Sequence, residues 1–269
     1  MNSIALGYTD LALASSLVLL NAGLSLYLAL GLERMFLVAA LRMAVQLTLV
    51  GLVLKVLFAA ASPGWTLLAA LLMVLFAGRE VMARQERRFA GLWGYGLGTT
   101  AMLMVALLVT VFALTTQIRP DPWYDPRYAI PVLGMILGNT MTGVALGLHA
   151  LTTGAVRERA AIESQLALGA TRREALRATV RGALRIALIP IINAMSATGL
   201  VALPGMMTGQ ILAGIEPGQA VRYQLLIMFL IAGGTALGAM AAVMAGGYRL
   251  TDRRHRLRLD RLVSVAADT

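Results

Sequence analysis

Few side chains in this sequence could do chemistry, and several of them interrupt long apolar runs. Arg42 and Gln46 lie one helical turn apart in one run, and Glu80 lies near the end of the next. A charged side chain at the centre of a bilayer costs about 2.5–3.5 kcal/mol or more, so such groups normally face a bundle interior. Arg42 is expected to snorkel to the cytoplasmic end, to form a structural ion pair with Glu80 or to contact a solute. Glu80 is the best-placed anionic ligand for a cation, with a role in balancing the charge of Arg79 or Arg42 as the alternative.

Neutral polar residues and a Pro-Gly pair form a second group of candidates. Asn139 and Asn193 lie in two later apolar runs, where such groups often hydrogen-bond between helices. Pro204-Gly205 should bend or interrupt a helix, and such breaks often occur at transport pathways. The pathway candidates are Arg42, Gln46, Glu80, Asn139, Asn193, Pro204, Gly205, Met206, Met207 and Gln210. Most of the 15 methionines are spread along the runs, where Met fills gaps, so metal ligands stay unknown.

The sequence does not indicate an enzyme. It holds no cysteine, no Ser/His/Asp cluster and no paired-carboxylate pattern in a plausible site, and its two histidines, His149 and His255, lie far apart. The single lysine, Lys55, is not preceded by the Gly-x-x-x-x-Gly of a phosphate-binding loop. We therefore expect no cofactor in this chain and no hydrolysis of ATP by it.

The elements that carry these residues are expected to be membrane-spanning helices. The chain has 269 residues, of which 59% are hydrophobic and 13% are charged, against about 25% charged in soluble domains. Its apolar runs exceed the ~20 residues that a helix needs to cross a bilayer. The predicted fold is therefore all-α: a polytopic helical membrane protein with about seven transmembrane helices and a single permease domain over residues 1–269. The predicted spans are 11–32, 35–58, 62–82, 92–115, 129–149, 186–213 and 224–247.

The distribution of basic residues predicts the orientation of the chain. One set of connecting segments holds nearly all the arginines, including those of segment 150–185 and of the tail 249–269, whereas the opposite set holds Arg119, Arg127 and Arg222. Because Lys and Arg are enriched in cytoplasmic loops, the N-terminus should lie outside and the C-terminus in the cytoplasm. The net charge of +10 does not indicate a nucleic-acid partner, since the charges flank apolar spans.

Segment 150–185 is the predicted long segment outside the membrane. Residues 157–168 read as a helix, and Gly169 fits the left-handed position that ends one. Thr171 and Glu174 then form a capping box that starts a second helix, which should continue into the sixth span. On the residues alone, this segment is either a basic amphipathic helix on anionic lipid or a helix–Gly–helix motif presented to a soluble partner.

Glu163-Ser-Gln-Leu-Ala-Leu-Gly169-Ala-Thr-Arg-Arg resembles the "EAA…G" coupling segment of ABC-transporter permeases, a cytoplasmic helix that docks in a cleft of the ATPase subunit. Together with Gly134-Met-Ile-Leu-Gly-Asn-Thr-Met-Thr-Gly and Leu203-Pro-Gly-Met-Met-Thr-Gly-Gln-Ile-Leu-Ala-Gly, it is similar to the FetB (YbbM) family of permeases. That family includes a bacterial permease assigned to iron export and plant aluminium-tolerance relatives. The resemblance implies that ATPase coupling rests on Glu163, Gly169, Ala170, Thr171, Arg172, Arg173 and Glu174.

The resemblance implies a permease subunit of an ABC transporter in the inner (plasma) membrane, exporting metal ions such as iron. A separate ATPase subunit, in two copies, would bind ATP and Mg, and two permeases would form the pathway as a homodimer in the lipid bilayer. Three alternatives stay open. They are a secondary transporter or channel that needs no ATP, a membrane scaffold, and an ABC permease for another small solute such as a nucleotide sugar.

Overall fold

The computed structural model describes residues 7–60, 62–252 and 254–264. Within them, seven helices are long and apolar enough to cross a membrane, which confirms the prediction of a polytopic helical membrane protein. The chain divides into two compact units, Met1–Ala61 and Ser62–Thr269. The first unit contains α1 (Tyr8–Tyr27) and α2 (Glu33–Ala60), which pack against each other.

The turn between α1 and α2 is closed by one serine. The Ser25 hydroxyl donates to Glu33 Oε2 at 2.9 Å and accepts from the Leu32 N–H at 3.0 Å. Ser25 thus satisfies a backbone donor at the start of α2 and holds a carboxylate near the positive end of that helix. Gly31 in this turn has a φ of 69°, a left-handed conformation that glycine adopts without steric cost.

The second unit contains the remaining five long helices and several short elements. Its elements in chain order are α3 (Pro63–Ala83), β1 (Arg87–Phe89), α4 (Leu92–Phe112) with a π-helical extension (Ala113–Ile118), α5 (Pro126–Arg157), α6 (Arg159–Ala167), α7 (Arg172–Ala175), α8 (Arg177–Ala197), α9 (Gly205–Leu212), α10 (Pro217–Arg249), a 3-10 turn (Leu259–Arg261) and β2 (Leu262–Ser264). Helix α5 is central, since it packs against α3, α4, α8 and α10.

The two longest helices start with the same local chemistry. Asp125 accepts the Arg127 N–H at 2.9 Å, and Glu216 accepts the N–H groups of Gly218 and Gln219 at 2.8 and 2.9 Å. In each case the next residue is a proline at the first helical position, where its missing N–H costs nothing. These carboxylates satisfy donors that would otherwise be unpaired at the helix ends and complement the positive end of the dipole.

Small residues let the core helices approach closely. A Cβ added to Gly78 of α3 would lie 2.1 Å from Thr99 Oγ1 on α4, and one added to Gly238 of α10 would lie 2.4 Å from Thr140 Cγ2 on α5. Real Cβ atoms essentially never show distances this short, so an alanine at either position would force its neighbours to shift. Close packing of this kind holds transmembrane helices together where lipid supplies no hydrophobic driving force.

The structure differs from the predicted element bounds at both ends of the sixth span. The predicted single span 186–213 corresponds to two helices: α8 ends at Ala197, and α9 begins at Gly205. Thr198 is extended, Gly199 has a φ of 91° and Pro204 is the N-cap of α9, so the helix ends seven residues before the predicted break. The second helix of segment 150–185 is likewise divided, because α7 ends at Ala175 and α8 begins at Arg177.

We expect Gly78→Ala to lower the free energy of unfolding by about 1–3 kcal/mol, the usual cost of overpacking, because its Cβ would collide with Thr99. The measurement is the thermal unfolding midpoint of the detergent-purified protein. The control is Gly96→Ala on α4, where nothing lies within 4 Å of the added Cβ. Adding Thr99→Ala to Gly78→Ala should restore part of the stability, and a midpoint equal to that of Gly96→Ala would contradict this account of the contact.

Candidate functional site

The candidate site is the α6–α7 motif, which comprises residues 159–176. Helix α6 ends with a glycine in the left-handed conformation: Gly169 has a φ of 90°. The Ala170 N–H donates to the Gln165 carbonyl at 3.0 Å, and the Gly169 N–H donates to the Leu166 carbonyl at 3.1 Å. This pair of hydrogen bonds is a Schellman motif, which satisfies the last carbonyls of α6 and reverses the chain.

Helix α7 starts with the capping box that the Thr-x-x-Glu pattern predicts. The Glu174 carboxylate accepts from the Thr171 N–H and from the Thr171 hydroxyl, both at 2.8 Å. The Thr171 Oγ1 in turn accepts the Glu174 N–H at 3.4 Å. The hydrogen bond from the Thr171 N–H, followed by that from its hydroxyl, lowers the pKa of Glu174 from its ordinary value of 4.5. The turn between the helices is therefore held at one end by the Schellman motif and at the other by the capping box.

The motif has a small core of its own. Ile162 of α6, Ala175 of α7 and Leu176, which connects α7 to α8, are buried together. Partly buried Leu166, Val180 and Leu257 pack around them. Leu257 belongs to the C-terminal segment, which comprises residues 250–264. The C-terminal segment, predicted only as a basic tail, thus completes the apolar core beneath α6 and α7.

Polar contacts attach the start of α7 to the end of α10 and to the C-terminal segment. The Arg172 N–H donates to His255 Nδ1 at 3.1 Å, and the Arg172 guanidinium lies 4.5 Å from the centre of the Tyr248 ring. The Arg173 guanidinium donates to the Tyr248 hydroxyl through Nε, at 3.2 Å, and through Nη2. This hydrogen bond is the first cause that raises the pKa of Arg173 above its ordinary value. Arg172 and Arg173, which the resemblance assigns to ATPase coupling, are thus partly engaged within the chain.

A two-stranded sheet fastens the C-terminal segment to the α3–α4 connection. Strands β1 and β2 are antiparallel, with Phe89 opposite Leu262, and the Ala90 N–H donates to the Arg261 carbonyl at 2.8 Å. Phe89 is buried in the main core. The buried Thr152 of α5 donates its hydroxyl to the Arg87 carbonyl at 3.0 Å. The end of the bundle that carries the α6–α7 motif is therefore tied together across α5, β1 and β2.

A carboxylate joins the α6–α7 motif to the helices on either side of it. Glu158, between α5 and α6, accepts from the Thr179 hydroxyl of α8 at 2.7 Å and pairs with Arg157 at 3.0 Å. The hydrogen bond from Thr179, followed by that from Arg157, lowers the pKa of Glu158. Thr179 is buried, so this bond fixes the start of α8 relative to the end of α5.

The outward surface of the motif is mixed in character. Glu163 is exposed and pairs with Arg159 one turn earlier, at 2.9 Å. Leu168, at the tip beside Gly169, is 86% exposed. A large apolar side chain on the tip of a rigid turn is suited to insertion into a partner's pocket, and the surrounding charges are suited to its rim.

The pathway candidates are distributed over helices α2, α3, α5, α8 and α9. Arg42 and Gln46 lie on α2 in the first unit and Glu80 lies on α3 in the second, so the Arg42–Glu80 pair stays a prediction. Asn139 and Asn193 are exposed on α5 and α8, which pack against each other. The Asn139 amide donates to the Met135 carbonyl in its own helix, at 2.9 Å.

The predicted Pro-Gly candidates lie at the start of α9. Pro204, Met207 and Gln210 are partly buried, Gly205 is exposed, and Met206 packs against the main core. The chain just before them, in the 198–204 connection, is strongly apolar and exposed: Leu200 is 93% exposed. Among the described residues, no group of three or more His, Cys, Asp or Glu side chains is placed to hold a metal ion.

Sequence reasoning missed Tyr248, His255 and Leu257. Tyr248 stands out as an aromatic residue at the basic end of the last span, and Leu257 as an apolar residue among arginines. Neither signal names its partner, because the partners are distant in the chain: the Tyr248 and His255 hydrogen bonds join residues 75 and 83 positions apart. Only the antiparallel return of α10 beside α8 brings them to the α6–α7 motif.

Comparisons with known proteins match nearly the whole chain. Residues 8–250 match the family model described as "Uncharacterised protein family (UPF0014)". The UPF0014 membrane protein YjkA of Bacillus subtilis is 35% identical over 86% of this chain and 90% of its own length. The probable iron export permease protein FetB of Escherichia coli is 32% identical over 96% and 97%, and the protein ALUMINUM SENSITIVE 3 of Arabidopsis thaliana is 33% identical over 88% and 84%. No solved structure matches the chain.

We expect Gly169→Ala to loosen the turn between α6 and α7, because an L-residue in the left-handed region costs about 1–2 kcal/mol. The measurement is hydrogen exchange: the backbone amides of residues 169 and 170 should lose protection in the variant. Gly182→Ala on α8 is the control, since nothing lies within 4 Å of its added Cβ and its backbone is helical. Unchanged protection in Gly169→Ala would show that the turn does not depend on glycine.

The capping box should respond to pH. Because the pKa of Glu174 is lowered in the folded chain, its contribution is fully present above 4.5 and is lost as the pH falls through the folded value. We therefore expect the protection factor of the Thr171 amide, corrected for intrinsic exchange, to decrease as the pH is lowered from 4.5 through the folded pKa of Glu174. In Glu174→Gln the fall should be smaller, and identical pH profiles for the two proteins would contradict the assignment.

Proposed function

Since the chain belongs to the UPF0014 family of membrane proteins, we propose that it is the membrane-spanning permease subunit of an ABC transporter and that it exports metal ions such as iron. The observation that carries the proposal is the α6–α7 motif, a capped two-helix element at one end of the bundle with Leu168 exposed at its tip. Its sequence is the stretch that resembles the coupling segment of ABC permeases.

The proposed partner is a soluble ATPase that binds ATP and Mg and receives the tip of the motif. A docking element must be rigid, because a loose one would absorb the partner's movement instead of transmitting it. The Schellman turn at Gly169, the capping box at Thr171 and the small core with Leu257 supply that rigidity. Two ATPase copies and two permeases would make the complete transporter, in the inner membrane with the C-terminus and the α6–α7 motif in the cytoplasm.

The proposed route of transmission runs along α8. Leu176 belongs to the core of the motif and directly precedes α8, and the Glu158–Thr179 bond fixes the first turn of that helix. Helix α8 has 21 residues, which at 1.5 Å per residue corresponds to about 31 Å, the thickness of a bilayer core. A displacement of the motif would therefore reach the break at 198–204 and helix α9, where Met206, Met207 and Gln210 lie.

The proposed substrate class follows from a relative rather than from a metal site. FetB of Escherichia coli is named a probable iron export permease. Metal ions would have to pass the pathway on neutral oxygen and sulfur groups, such as those of Asn139, Asn193 and Met207, with Glu80 as an anionic ligand. An ABC permease for another small solute and a transporter or channel that needs no ATP would each give a different result in the experiments below.

We expect the protein, purified in mild detergent from its native membrane, to bring down a P-loop ATPase in a fixed ratio. Gly169→Leu should abolish this association, because a branched side chain is strained at a φ of 90° and alters the tip. Gly233→Leu, at an exposed glycine of α10 with nothing within 4 Å, is the matched control and should retain the partner. Both variants should elute as folded protein on size exclusion.

The recovered complex then tests the substrate. Iron-stimulated ATPase activity supports metal export, and stimulation by another solute but not by metals reassigns the cargo while keeping the ABC permease. Recovery of the chain without an ATPase, under conditions that keep other transporter complexes intact, would contradict the proposal and favour a transporter that works alone.

A further inference from the structure

The same end of the bundle carries a basic site that the proposed function does not use. Arg249 is the last residue of α10, and its guanidinium lies 4.7 Å from the centre of the Trp93 ring, near the start of α4. The Arg249 Nε is buried and has no hydrogen-bond partner within the described residues. A buried donor without a partner is unfavourable, so an external acceptor that reaches this guanidinium would be stabilised.

A second arginine lies beside the first. Arg261 Nη1 donates to the Arg249 carbonyl at 2.7 Å and to the Thr251 carbonyl at 3.3 Å, so its side chain crosses the end of α10. Burial lowers the pKa of Arg261, and the charges of Arg249 and Arg258 add to that shift; Asp260 and Asp252 oppose it. These positive charges repel each other, and an anion bound beside them would relieve the repulsion.

The acidic groups nearby are engaged elsewhere. Asp260 holds the Arg258 guanidinium through two hydrogen bonds, at 2.8 and 2.7 Å, and Asp252 pairs with Arg256 at 2.8 Å. Among the described ion pairs, none neutralises Arg249 or Arg261. The site thus holds two positive charges without a carboxylate partner of their own.

The start of α4 adds to the positive potential. Its N-cap is Gly91, which has no side chain to satisfy the free N–H groups of the first turn, and its φ is 62°. The positive end of a 21-residue helix therefore lies beside the Trp93–Arg249 stack. Helix N-termini attract anions, and here that attraction acts on the same place as the two arginines.

The position of the site within the span selects the kind of anion. Leu92 is 90% exposed and Trp93 is 52% exposed, at the very beginning of a membrane-spanning helix. Tryptophan is enriched where headgroups meet the hydrocarbon, and an exposed leucine beside it is suited to contact an acyl chain. An anion at this depth would carry its own apolar part.

We propose that Trp93, Arg249 and Arg261 bind the phosphate of an anionic phospholipid. The phosphate oxygens accept from the two guanidinium groups, and the acyl chain lies against Leu92. Because Arg261 directly precedes β2, the bound lipid holds the C-terminal segment on β1 and, through Leu257, supports the α6–α7 motif. The proposal concerns a lipid site only and stands whether or not the chain couples to an ATPase.

The test uses the full-length protein in detergent, with phosphatidylglycerol, phosphatidylcholine or inorganic phosphate as the probe. Native mass spectrometry reports bound lipid, and hydrogen exchange of residues 262–264 reports the docking of β2. We expect phosphatidylglycerol to be retained and to raise the protection of β2, and neither other probe to do so. Each basic residue near a membrane surface contributes about 1 kcal/mol, so Arg249→Gln and Arg261→Gln should each weaken retention about fivefold.

The matched control is Arg254→Gln, which removes the same charge from an exposed position of the C-terminal segment. It should bind phosphatidylglycerol as the unchanged protein does. Trp93→Phe keeps an aromatic ring and tests the site without removing a charge; it should weaken retention while leaving the thermal unfolding midpoint in detergent without added lipid unchanged. Equal retention by Arg249→Gln and Arg254→Gln would overturn the proposal in favour of general surface charge. Protection by inorganic phosphate equal to that by lipid would overturn the lipid source.

Discussion

Backbone hydrogen bonding is the constraint on which the rest of this molecule depends. In hydrocarbon every N–H and C=O must find a partner within the chain, so the apolar runs form helices. Outside the hydrocarbon the short elements meet the same requirement in other ways. At the α6–α7 end their backbone groups find partners in the Gly169 turn, the Thr171–Glu174 box and the β1–β2 ladder. Much of the ordered structure outside the spans thus serves to satisfy backbone N–H and C=O groups.

The same contacts give the α6–α7 motif its mechanical character. It is joined to α5 and α8 through Glu158 and Thr179, to α10 through Tyr248, and to the C-terminal segment through Leu257 and His255. A movement imposed on the tip at Leu168 would therefore be shared by several helices rather than lost in a loop. This arrangement is suited to a part that receives force from a partner.

The sequence predicts the features that depend on neighbours in the chain. Apolar length predicts the seven helices, and the spacing of Gly169, Thr171 and Glu174 predicts the turn and its cap. It does not predict contacts made across the bundle, such as Arg172 with His255 or Trp93 with Arg249. The sequence predicts the break at Pro204, whereas α8 ends at Ala197, because Pro204 is a stronger signal than the Thr198-Gly199 pair that ends the helix. The pathway residues stay predictions, because the same types of polar residue are used to pack helices together and to contact a solute.

The central claim is that the tip of the α6–α7 motif lies in a partner ATPase. The chain contains no cysteine, so Leu168→Cys introduces one unique thiol at the exposed tip, and Leu200→Cys places one at an equally exposed site beyond the other end of α8. The decisive measurement is thiol cross-linking of these two variants in native membranes. The account predicts that position 168 cross-links to a P-loop ATPase in a manner that changes with bound nucleotide, while position 200 does not. Cross-linking of Leu168→Cys to lipid probes alone, with no ATPase adduct, would contradict it.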